Sequence, residues 1–246
     1  MSFDLSNPNR TIQAGVILMG ETEILDVAPI DFLHGLNKKF AAVLPISDEL
    51  KAKALDIEFH WVTEKGEPAK LTAGISLNAT DSYESCPPLD IVLIGAYFPD
   101  YTPNEADLAF IRKAYNDCIC PPPNYLLKPN APPGVAFLTI CGGMIPAQIA
   151  GVLAEHTCTA PRFMVSLLQQ QDPRTKWVEK RAVRDGKIWT SGALLNGLDL
   201  MQEFAKTYWP ELAEVAIPLG GWPERSLEYE GEEKGIQKGF TWGTVQ

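Results

Sequence analysis

One cysteine stands in a short pattern that would make its side chain reactive. Cys141 directly follows an apolar run at 135–140 and precedes Gly142, Gly143 and a helical pattern. A strand-to-helix turn of this kind pushes a nucleophile out of the sheet, and the glycines permit a strained backbone. The start of a helix favours thiolate over thiol, and the two glycine amides could stabilise a developing negative charge. The pattern predicts a nucleophilic cysteine, with a buried structural cysteine as the alternative.

Three acidic residues follow the first predicted strand, which covers residues 12–19. Asp26 could carry a proton for the thiol or share a hydrogen bond with it, although its position also suits a helix N-cap. Glu21 and Glu23 are competing acids in the same segment. The residues alone leave open which of the three acids is the partner of Cys141.

The chain has three histidines, and none of them is well placed to activate the cysteine. A thiol–imidazole pair requires hydrogen-bond contact. His156 follows a helix predicted over 144–154, which would place it about 20 Å from the start of that helix. His60 lies in a predicted strand and His34 in a predicted helix. We therefore expect the helix start and a carboxyl group, rather than an imidazole, to activate Cys141.

A second cysteine pattern lies in a proline-rich loop over residues 118–134. Cys118 and Cys120 form a CxC pair, but no further cluster of cysteine or histidine stands nearby, so no metal site is predicted. Loops of this length are often lids or binding loops, and this one could equally be a passive insertion. No GxGxxG or Walker pattern occurs, so no nucleotide cofactor is predicted.

Composition narrows the class of protein further. A length of 246 residues suits one α/β domain, and the formal charge of −10 argues against nucleic acid or an anionic membrane surface as partner. No run of about 18 apolar residues is present, and the first residues do not have the pattern of a signal peptide. The odd number of cysteines, five, favours free thiols in a reducing compartment, and we expect a cytoplasmic protein.

Apolar runs of strand length alternate with helical patterns along the chain. The predicted strands cover residues 12–19, 56–63, 90–95, 135–140 and 187–191, with a hairpin over 69–79 and an extended segment over 177–183. The predicted helices cover residues 26–37, 104–117, 144–154, 163–171 and 197–208. This alternation predicts an α/β fold with a mainly parallel sheet and helices on both faces.

Sites in such folds lie beyond the carboxyl ends of the strands, where segments 20–26, 95–98 and 141–143 are placed. No domain boundary is evident, and one domain over residues 1–246 is predicted. Within it, residues 1–10 are expected to be a loose arm and 228–235 a solvated loop.

Four stretches of the chain occur in the order, and with the residue types, of one known family. They are FLTICGG at 137–143 with QIAGVL at 148–153, ILDVAPID at 24–31, LDIVLIG at 89–95 and DGKIWTSG at 185–192. Over roughly residues 12–208 the chain resembles the ThiJ/PfpI family, also called DJ-1-like, and most of all its fungal members.

The resemblance implies a flavodoxin-like three-layer sandwich with the class I glutamine-amidotransferase-like fold, often dimeric. It leaves residues 210–246 as a tail that is atypical of the family. It implies that Cys141 is the elbow cysteine, that Asp26 is its acidic partner, and that amides near Gly95, Ala96 and Gly142 stabilise charge. An aspartate in place of glutamate is similar to the isocyanide hydratase branch, which adds water to an isocyanide carbon without a cofactor.

The chain departs from the family pattern next to the cysteine. The hydratases have a threonine directly after it and protease-like members a histidine, whereas this chain has Gly142. Amidotransferases place a histidine late in the chain, and none follows His156. The resemblance therefore favours a cofactor-free, cysteine-dependent hydratase or lyase over a protease or an amidotransferase.

Three alternatives stay open at this point. The first is a glyoxalase-like enzyme that acts on 2-oxoaldehydes without glutathione. The second is a non-enzymatic, redox-responsive stress protein whose thiol is a sensor. The third is a tailoring enzyme of fungal secondary metabolism. The expected partners are a small-molecule substrate and a second copy of the chain in a homodimer, with no nucleic acid, membrane or metal.

Overall fold

Seven strands form the central sheet of the computed structural model, which describes residues 3–116 and 136–230. The strands are β1 Ile12–Ile17, β2 Glu21–Thr22, β3 Ile57–Thr63, β4 Ala69–Leu71, β5 Ile75–Leu77, β6 Asp81–Ser82, β7 Ile91–Ile94, β8 Ala136–Thr139, β9 Thr157–Cys158, β10 Lys176–Trp177, β11 Ala182–Asp185 and β12 Ile188–Ser191. The α-helices are α1 Ile24–Val27, α2 Asp31–Gly35, α3 Lys38–Ala41, α4 Asp48–Lys53, α5 Glu105–Asn116, α6 Met144–Ile149, α7 Arg162–Gln171, α8 Asn196–Tyr208 and α9 Pro210–Gly220. Short 3₁₀ turns cover Ala28–Ile30, Thr72–Gly74 and Cys141–Gly143.

The central sheet has the strand order β11-β12-β8-β7-β1-β3-β6, and its pairs are parallel except for β11 with β12. β7 reads Ile-Val-Leu-Ile and is buried throughout, as expected for a parallel strand that is covered on both faces. The parallel register brings the carboxyl ends of β1, β7, β8 and β12 to one edge of the sheet. The segments that follow these four strands must therefore lie close together.

Helices cover both faces of this sheet. On one face α2, α8 and α9 contribute the buried side chains Leu33, Phe204 and Ala213. On the other face α5, α6 and α7 contribute the buried side chains Ile111, Ala147 and Leu168. The predicted flavodoxin-like three-layer sandwich is confirmed. That the whole chain forms one domain stays a prediction.

The amino-terminal arm corrects the sequence analysis, because residues 3–10 are anchored rather than loose. Leu5 is fully buried, and its carbonyl oxygen accepts a hydrogen bond of 2.7 Å from Trp209 Nε1. Arg10 forms a bidentate ion pair with the buried carboxylate of Asp90, at 2.6 and 2.7 Å. Partners more than 70 residues away hold the arm, and such contacts leave no local pattern in the sequence.

Two predicted helices are interrupted in the structure. The helix predicted over 26–37 is split by the 3₁₀ turn around Pro29, whose ring removes a backbone donor. The helix predicted over 144–154 ends at Ile149, since Gly151 takes a left-handed φ of +82° that terminates it. Within the extended segment predicted over 177–183, strand structure is confined to β10 and β11.

The carboxyl-terminal part of the described chain contains a helix that the sequence analysis did not predict. Pro210 stands at the first position of α9, where a missing N–H is tolerated, and Gly221 ends the helix with a φ of +63°. The loop predicted over 118–134, with Cys118 and Cys120, lies outside the described residues, as does most of the predicted 228–235 loop. Within the described ranges, no helix is both long and apolar enough to cross a membrane.

The anchored arm gives a first prediction about stability. Leu5→Ala should lower the free energy of unfolding by about 2–4 kcal/mol, because it empties a fully buried site. Leu219→Ala is the matched control, since this leucine is 54% exposed in α9, and it should change stability by less than about 1 kcal/mol. Urea unfolding followed by circular dichroism measures both values. Equal stability of the two variants would restore the loose-arm interpretation.

Candidate active site

Cys141 lies on a strained turn directly after the central strand β8. Ile140 is still extended, whereas Cys141 has a φ of +55°, a left-handed backbone that is uncommon for a residue with a side chain. The 3₁₀ turn Cys141–Gly143 then leads into α6, and the cysteine side chain is half-buried. The strand-to-helix elbow predicted for this cysteine is present.

The two glycines after the cysteine allow the turn to press against the neighbouring strand. A β-carbon at Gly143 would lie 2.1 Å from the carbonyl oxygen of Ile94, a distance that no real side chain tolerates. At Gly142 it would lie 3.2 Å from the β-carbon of Ala96. The elbow therefore sits directly on the end of β7, and its glycines are a steric requirement.

Asp26 is the buried acid at this edge of the sheet. Its Oδ2 accepts a hydrogen bond of 2.8 Å from the backbone N–H of Ala96, and its Oδ1 has no hydrogen-bond partner among the described residues. A β-carbon at Gly95 would lie 2.8 Å from the β-carbon of Asp26, so the glycine permits this approach. The N-cap interpretation of Asp26 is wrong, because the residue lies inside α1 and its side chain does not bond to that helix.

Burial and neighbouring charges set the protonation of the two groups. Burial, with a smaller contribution from the charge of Glu23, raises the pKa of Asp26 to about 7, against the opposing effects of the Ala96 N–H and Cys141. Burial, together with the charge of Asp26, likewise raises the pKa of Cys141 to about 12. The expectation that the helix start would lower the thiol pKa is thus corrected, since α6 is short and burial dominates.

Two backbone amides oppose this increase in the thiol pKa. Interactions with the backbone N–H groups of Gly142 and Leu194 lower the pKa of the Cys141 thiol. Leu194 lies in the loop after β12, and the sequence analysis did not identify it. A signal was available, because β12 resembles the late strand of the family and pairs with β8, so its following loop must reach the same edge.

Two amides that were predicted to stabilise charge on the substrate already have partners within the protein. The Ala96 N–H donates to Asp26, and the Gly143 N–H donates to the Ile140 carbonyl at 2.9 Å. Gly95 contributes close packing against Asp26, as described above. Of the four predicted binding residues, Gly142 is the one whose backbone amide lowers the pKa of the thiol.

The other two acids of the same segment have different surroundings. Glu21 is exposed in β2. Glu23 is half-buried, and its backbone N–H donates to the Ala96 carbonyl at 2.8 Å. The charge of Glu23, the outer of the two acids near the cysteine, raises the pKa of both Asp26 and Cys141. The structure thus places Asp26, rather than Glu21 or Glu23, in the buried position beside the thiol.

The three histidines have partners elsewhere in the described structure. His60 contacts Asp81 at 2.8 Å and the side chain of Gln13 at 2.6 Å. His156 contacts the Tyr115 hydroxyl at 3.2 Å, and the His34 ring packs at a tilt against Phe40 and Phe59. None of the contacts between described residues joins a histidine to the cysteine. Across the described ranges, no three His, Cys, Asp or Glu side chains are grouped as metal ligands would be.

Comparison with known proteins gives three findings. No protein-family model matches the chain. The chain is 27% identical over 221 residues to an isonitrile hydratase of Pseudomonas putida, across 89% of this chain and 78% of that protein. Its fold matches DJ-1beta of Drosophila melanogaster with a TM-score of 0.64 at 15% identity, across 87% of this chain and all of the other.

A ThiJ/PfpI family protein from Pseudomonas syringae also has this fold, with a TM-score of 0.60 at 15% identity, across 88% of this chain and 77% of the other. The chain thus shares the fold of ThiJ/PfpI and DJ-1 proteins, and its sequence is similar to that of an isonitrile hydratase. The expected closeness to fungal members of the family stays a prediction.

The close contact at Gly143 gives a second prediction. Gly143→Ala should lower the free energy of unfolding by more than about 2 kcal/mol, because its new methyl group collides with the Ile94 carbonyl. Gly35→Ala in α2 is the matched control, since nothing lies within 4 Å of its β-carbon, and it should be neutral or stabilising. Chemical unfolding compares the two. An equally stable Gly143→Ala variant would contradict the packing of the elbow on β7.

The raised pKa of Asp26 gives a third prediction, about pH. Folding favours the protonated carboxyl, so this contribution to stability is complete below pH 4 and is lost as the pH rises through about 7. The free energy of unfolding of the wild type should therefore fall by a few kcal/mol, at most about 4, between pH 4 and pH 8 because of this group. Asp26→Asn should remove most of that decrease.

Glu21→Gln is the control for this measurement, because it removes an exposed carboxyl from the same segment. Urea titrations at a series of pH values give the free energy of unfolding of all three proteins. Parallel pH profiles for the wild type and Asp26→Asn would show that the Asp26 carboxyl is not protonated by burial.

Proposed function

We propose that this protein is a cofactor-free, cysteine-dependent hydratase that adds water to the electrophilic carbon of a small molecule, with an isonitrile as the substrate class. The observation that supports it most directly is the pairing of the Cys141 thiol with a buried Asp26 carboxyl. One carboxyl oxygen is held by the Ala96 N–H and the other has no partner among the described residues. Similarity to an isonitrile hydratase supports the same class of reaction.

The proposed reaction begins at the sulfur. Cys141 attacks the terminal carbon of the isonitrile, and Asp26 takes the thiol proton and passes it to that carbon. A carbon–sulfur bond forms, and the product of the step is a thioimidate in which the carbon is doubly bonded to nitrogen. A base with a pKa of about 7 suits this transfer, since it can both accept and return a proton near neutral pH.

Water completes the reaction on the same carbon. Asp26 takes a proton from the water as its oxygen bonds to the thioimidate carbon, and that proton goes to the nitrogen. The carbon–sulfur bond then breaks, the hydroxyl proton returns to the sulfur through Asp26, and an N-substituted formamide leaves. The atoms of one water are added overall, and neither an oxidant nor a metal is consumed.

Charge on the sulfur is the species that needs stabilisation in this scheme. The amides of Gly142 and Leu194 lower the pKa of the thiol and so favour the thiolate, and they are most effective when a charged thiolate leaves the carbon. Large apolar side chains also stand exposed next to the site segments in the chain, namely Leu25, Phe98 and Leu195. Exposed apolar side chains of this kind suit an apolar substituent on a small substrate.

The alternatives are less well supported by this geometry. A glyoxalase-like site usually includes a histidine, whereas the contacts of the described residues place all three histidines elsewhere. A redox sensor needs a ready thiolate, whereas burial raises the pKa of Cys141. A role in fungal secondary metabolism, a cytoplasmic location and a homodimer stay predictions.

The fourth prediction tests the proposed reaction. The purified protein with a small alkyl isonitrile should produce the N-alkyl formamide, followed by proton NMR, with a rate that rises with pH through about 7 as Asp26 loses its proton. Cys141→Ser should abolish turnover, and Asp26→Asn should lower it by roughly 10²- to 10⁴-fold, because the proton carrier is lost.

Cys86→Ser is the matched control, since this buried cysteine contacts Pro87 rather than the candidate site, and it should keep full activity. Methylglyoxal without glutathione is run in parallel. Formamide production that survives Cys141→Ser would exclude the cysteine mechanism, and cysteine-dependent loss of methylglyoxal without isonitrile turnover would favour the glyoxalase-like alternative.

A further inference from the structure

The chain returns to the site after α9, in a stretch that the family resemblance does not cover. We call residues 222–230 the return segment. Its Arg225 forms a bidentate ion pair with the buried Asp199 of α8, from Nε to Oδ1 at 2.8 Å and from Nη2 to Oδ2 at 2.9 Å. The same guanidinium donates to the Leu195 carbonyl oxygen at 3.2 Å. One side chain thus ties the return segment to the start of α8 and to the preceding loop.

Tyr229 makes a second connection to the same place. Its hydroxyl donates to Asn196 Oδ1 at 2.9 Å, and Asn196 Nδ2 donates in turn to Asp199 Oδ2 at 3.0 Å. The guanidinium groups of Arg162 and Arg181 both lie over the tyrosine ring, at 4.5 and 4.8 Å from its centroid. These two contacts and the hydrogen bond to Asn196 together hold the tyrosine side chain in place.

Arg181 holds the amino-terminal end of loop 192–196, the loop that leads from β12 into α8. Its backbone N–H and its Nε donate to carbonyl oxygens of the return segment, those of Leu227 at 2.8 Å and Ser226 at 2.9 Å. Its own carbonyl accepts from the Gly192 N–H at 2.9 Å. A β-carbon at Gly192 would lie 2.7 Å from the Tyr229 hydroxyl, so the loop and the return segment are in close contact.

Loop 192–196, held at both ends in this way, carries Leu194 at its middle. The loop lies beside the elbow, because β12 before it pairs with β8 before Cys141, and a β-carbon at Gly197 just after it would lie 2.8 Å from Ile140 Cδ1. We propose that Tyr229 and Arg225 are positioning residues, which fix this loop beside Cys141 and thereby keep the Leu194 N–H close to the sulfur. Neither side chain is argued to touch the substrate. The inference rests on the proposed function only in that Cys141 is taken as the nucleophile.

The charged groups around the sulfur make this idea testable. The titratable side chains that face Cys141 are Asp26 and Glu23, both in the segment after β1. Neither belongs to the return segment or to loop 192–196. Tyr229→Phe removes one hydroxyl and no charge near neutral pH, so a change in thiol titration in this variant would report the position of the Leu194 amide.

The fifth prediction is a pH profile of Cys141 alkylation in the full chain. Tyr229→Phe should slow alkylation of Cys141 by iodoacetamide by roughly two- to tenfold at each pH below the thiol pKa, as expected for a weakened hydrogen bond to the thiolate. Quantitative mass spectrometry of the Cys141 peptide measures the rate. The matched control is Tyr208→Phe, at the other end of α8, about 18 Å along the helix from Asn196. It should leave the rate unchanged.

A second variant keeps the test independent of one substitution. Arg225→Lys retains the charge but cannot form the bidentate pair with Asp199, and it should slow alkylation in the same direction. Alkylation profiles of both variants that coincide with the wild type would overturn the proposal. A rate loss in Tyr208→Phe equal to that in Tyr229→Phe would overturn it too, since the effect would then follow from general loosening of the fold.

The result is separable from the fate of the proposed function. Alkylation needs no isonitrile, so slower alkylation in Tyr229→Phe would support the positioning role even if the wild type hydrates no isonitrile. Conversely, hydration that depends on Cys141, combined with unchanged alkylation in both variants, would keep the proposed function and remove this inference.

Discussion

The hydrogen bond from the Ala96 N–H to Asp26 is the interaction on which the candidate site depends. It holds a carboxyl group in a fully buried position at the end of β7, and it leaves one carboxyl oxygen for the thiol. The bond requires the backbone of α1 to approach β7 closely, which a glycine at position 95 permits. A buried carboxylate with a single donor is costly, so the group responds with a raised pKa. The decrease in stability expected near neutral pH is thus a direct consequence of burying this carboxyl group.

Local patterns predicted the parts of this site that are local. The apolar strand before Cys141, the glycines after it and the acid behind the first strand were all visible, since each is a short run with its own sequence signature. The alternation of such runs also predicted the parallel sheet. The role of Asp26 needed the fold, because its partner is a backbone amide 70 residues away. The sequence suggested a helix cap as readily as an acid partner.

What the sequence could not supply is the set of contacts that join distant segments. A hydrogen bond joins Leu5 to Trp209, 204 residues further along the chain. Arg225, which follows α9, forms an ion pair with Asp199 of α8. None of these partners has a periodic or spaced pattern, because an ion pair or a single hydrogen bond places no requirement on the residues between its ends. The thiol pKa was mispredicted for the same reason: the helix start was visible, but the burial that outweighs it arises from tertiary packing.

The departure from the hydratase pattern at Gly142 is connected to the same hydrogen bond. A β-carbon at this position would lie 3.2 Å from the β-carbon of Ala96, tighter than ordinary packing. Ala96 is the residue whose N–H holds Asp26, so the residue after Cys141 and the position of the acid are linked through one alanine. A threonine here would press on that alanine, which would have to shift by a few tenths of an ångström. The glycine and the acid therefore belong to one packed arrangement at the end of β7.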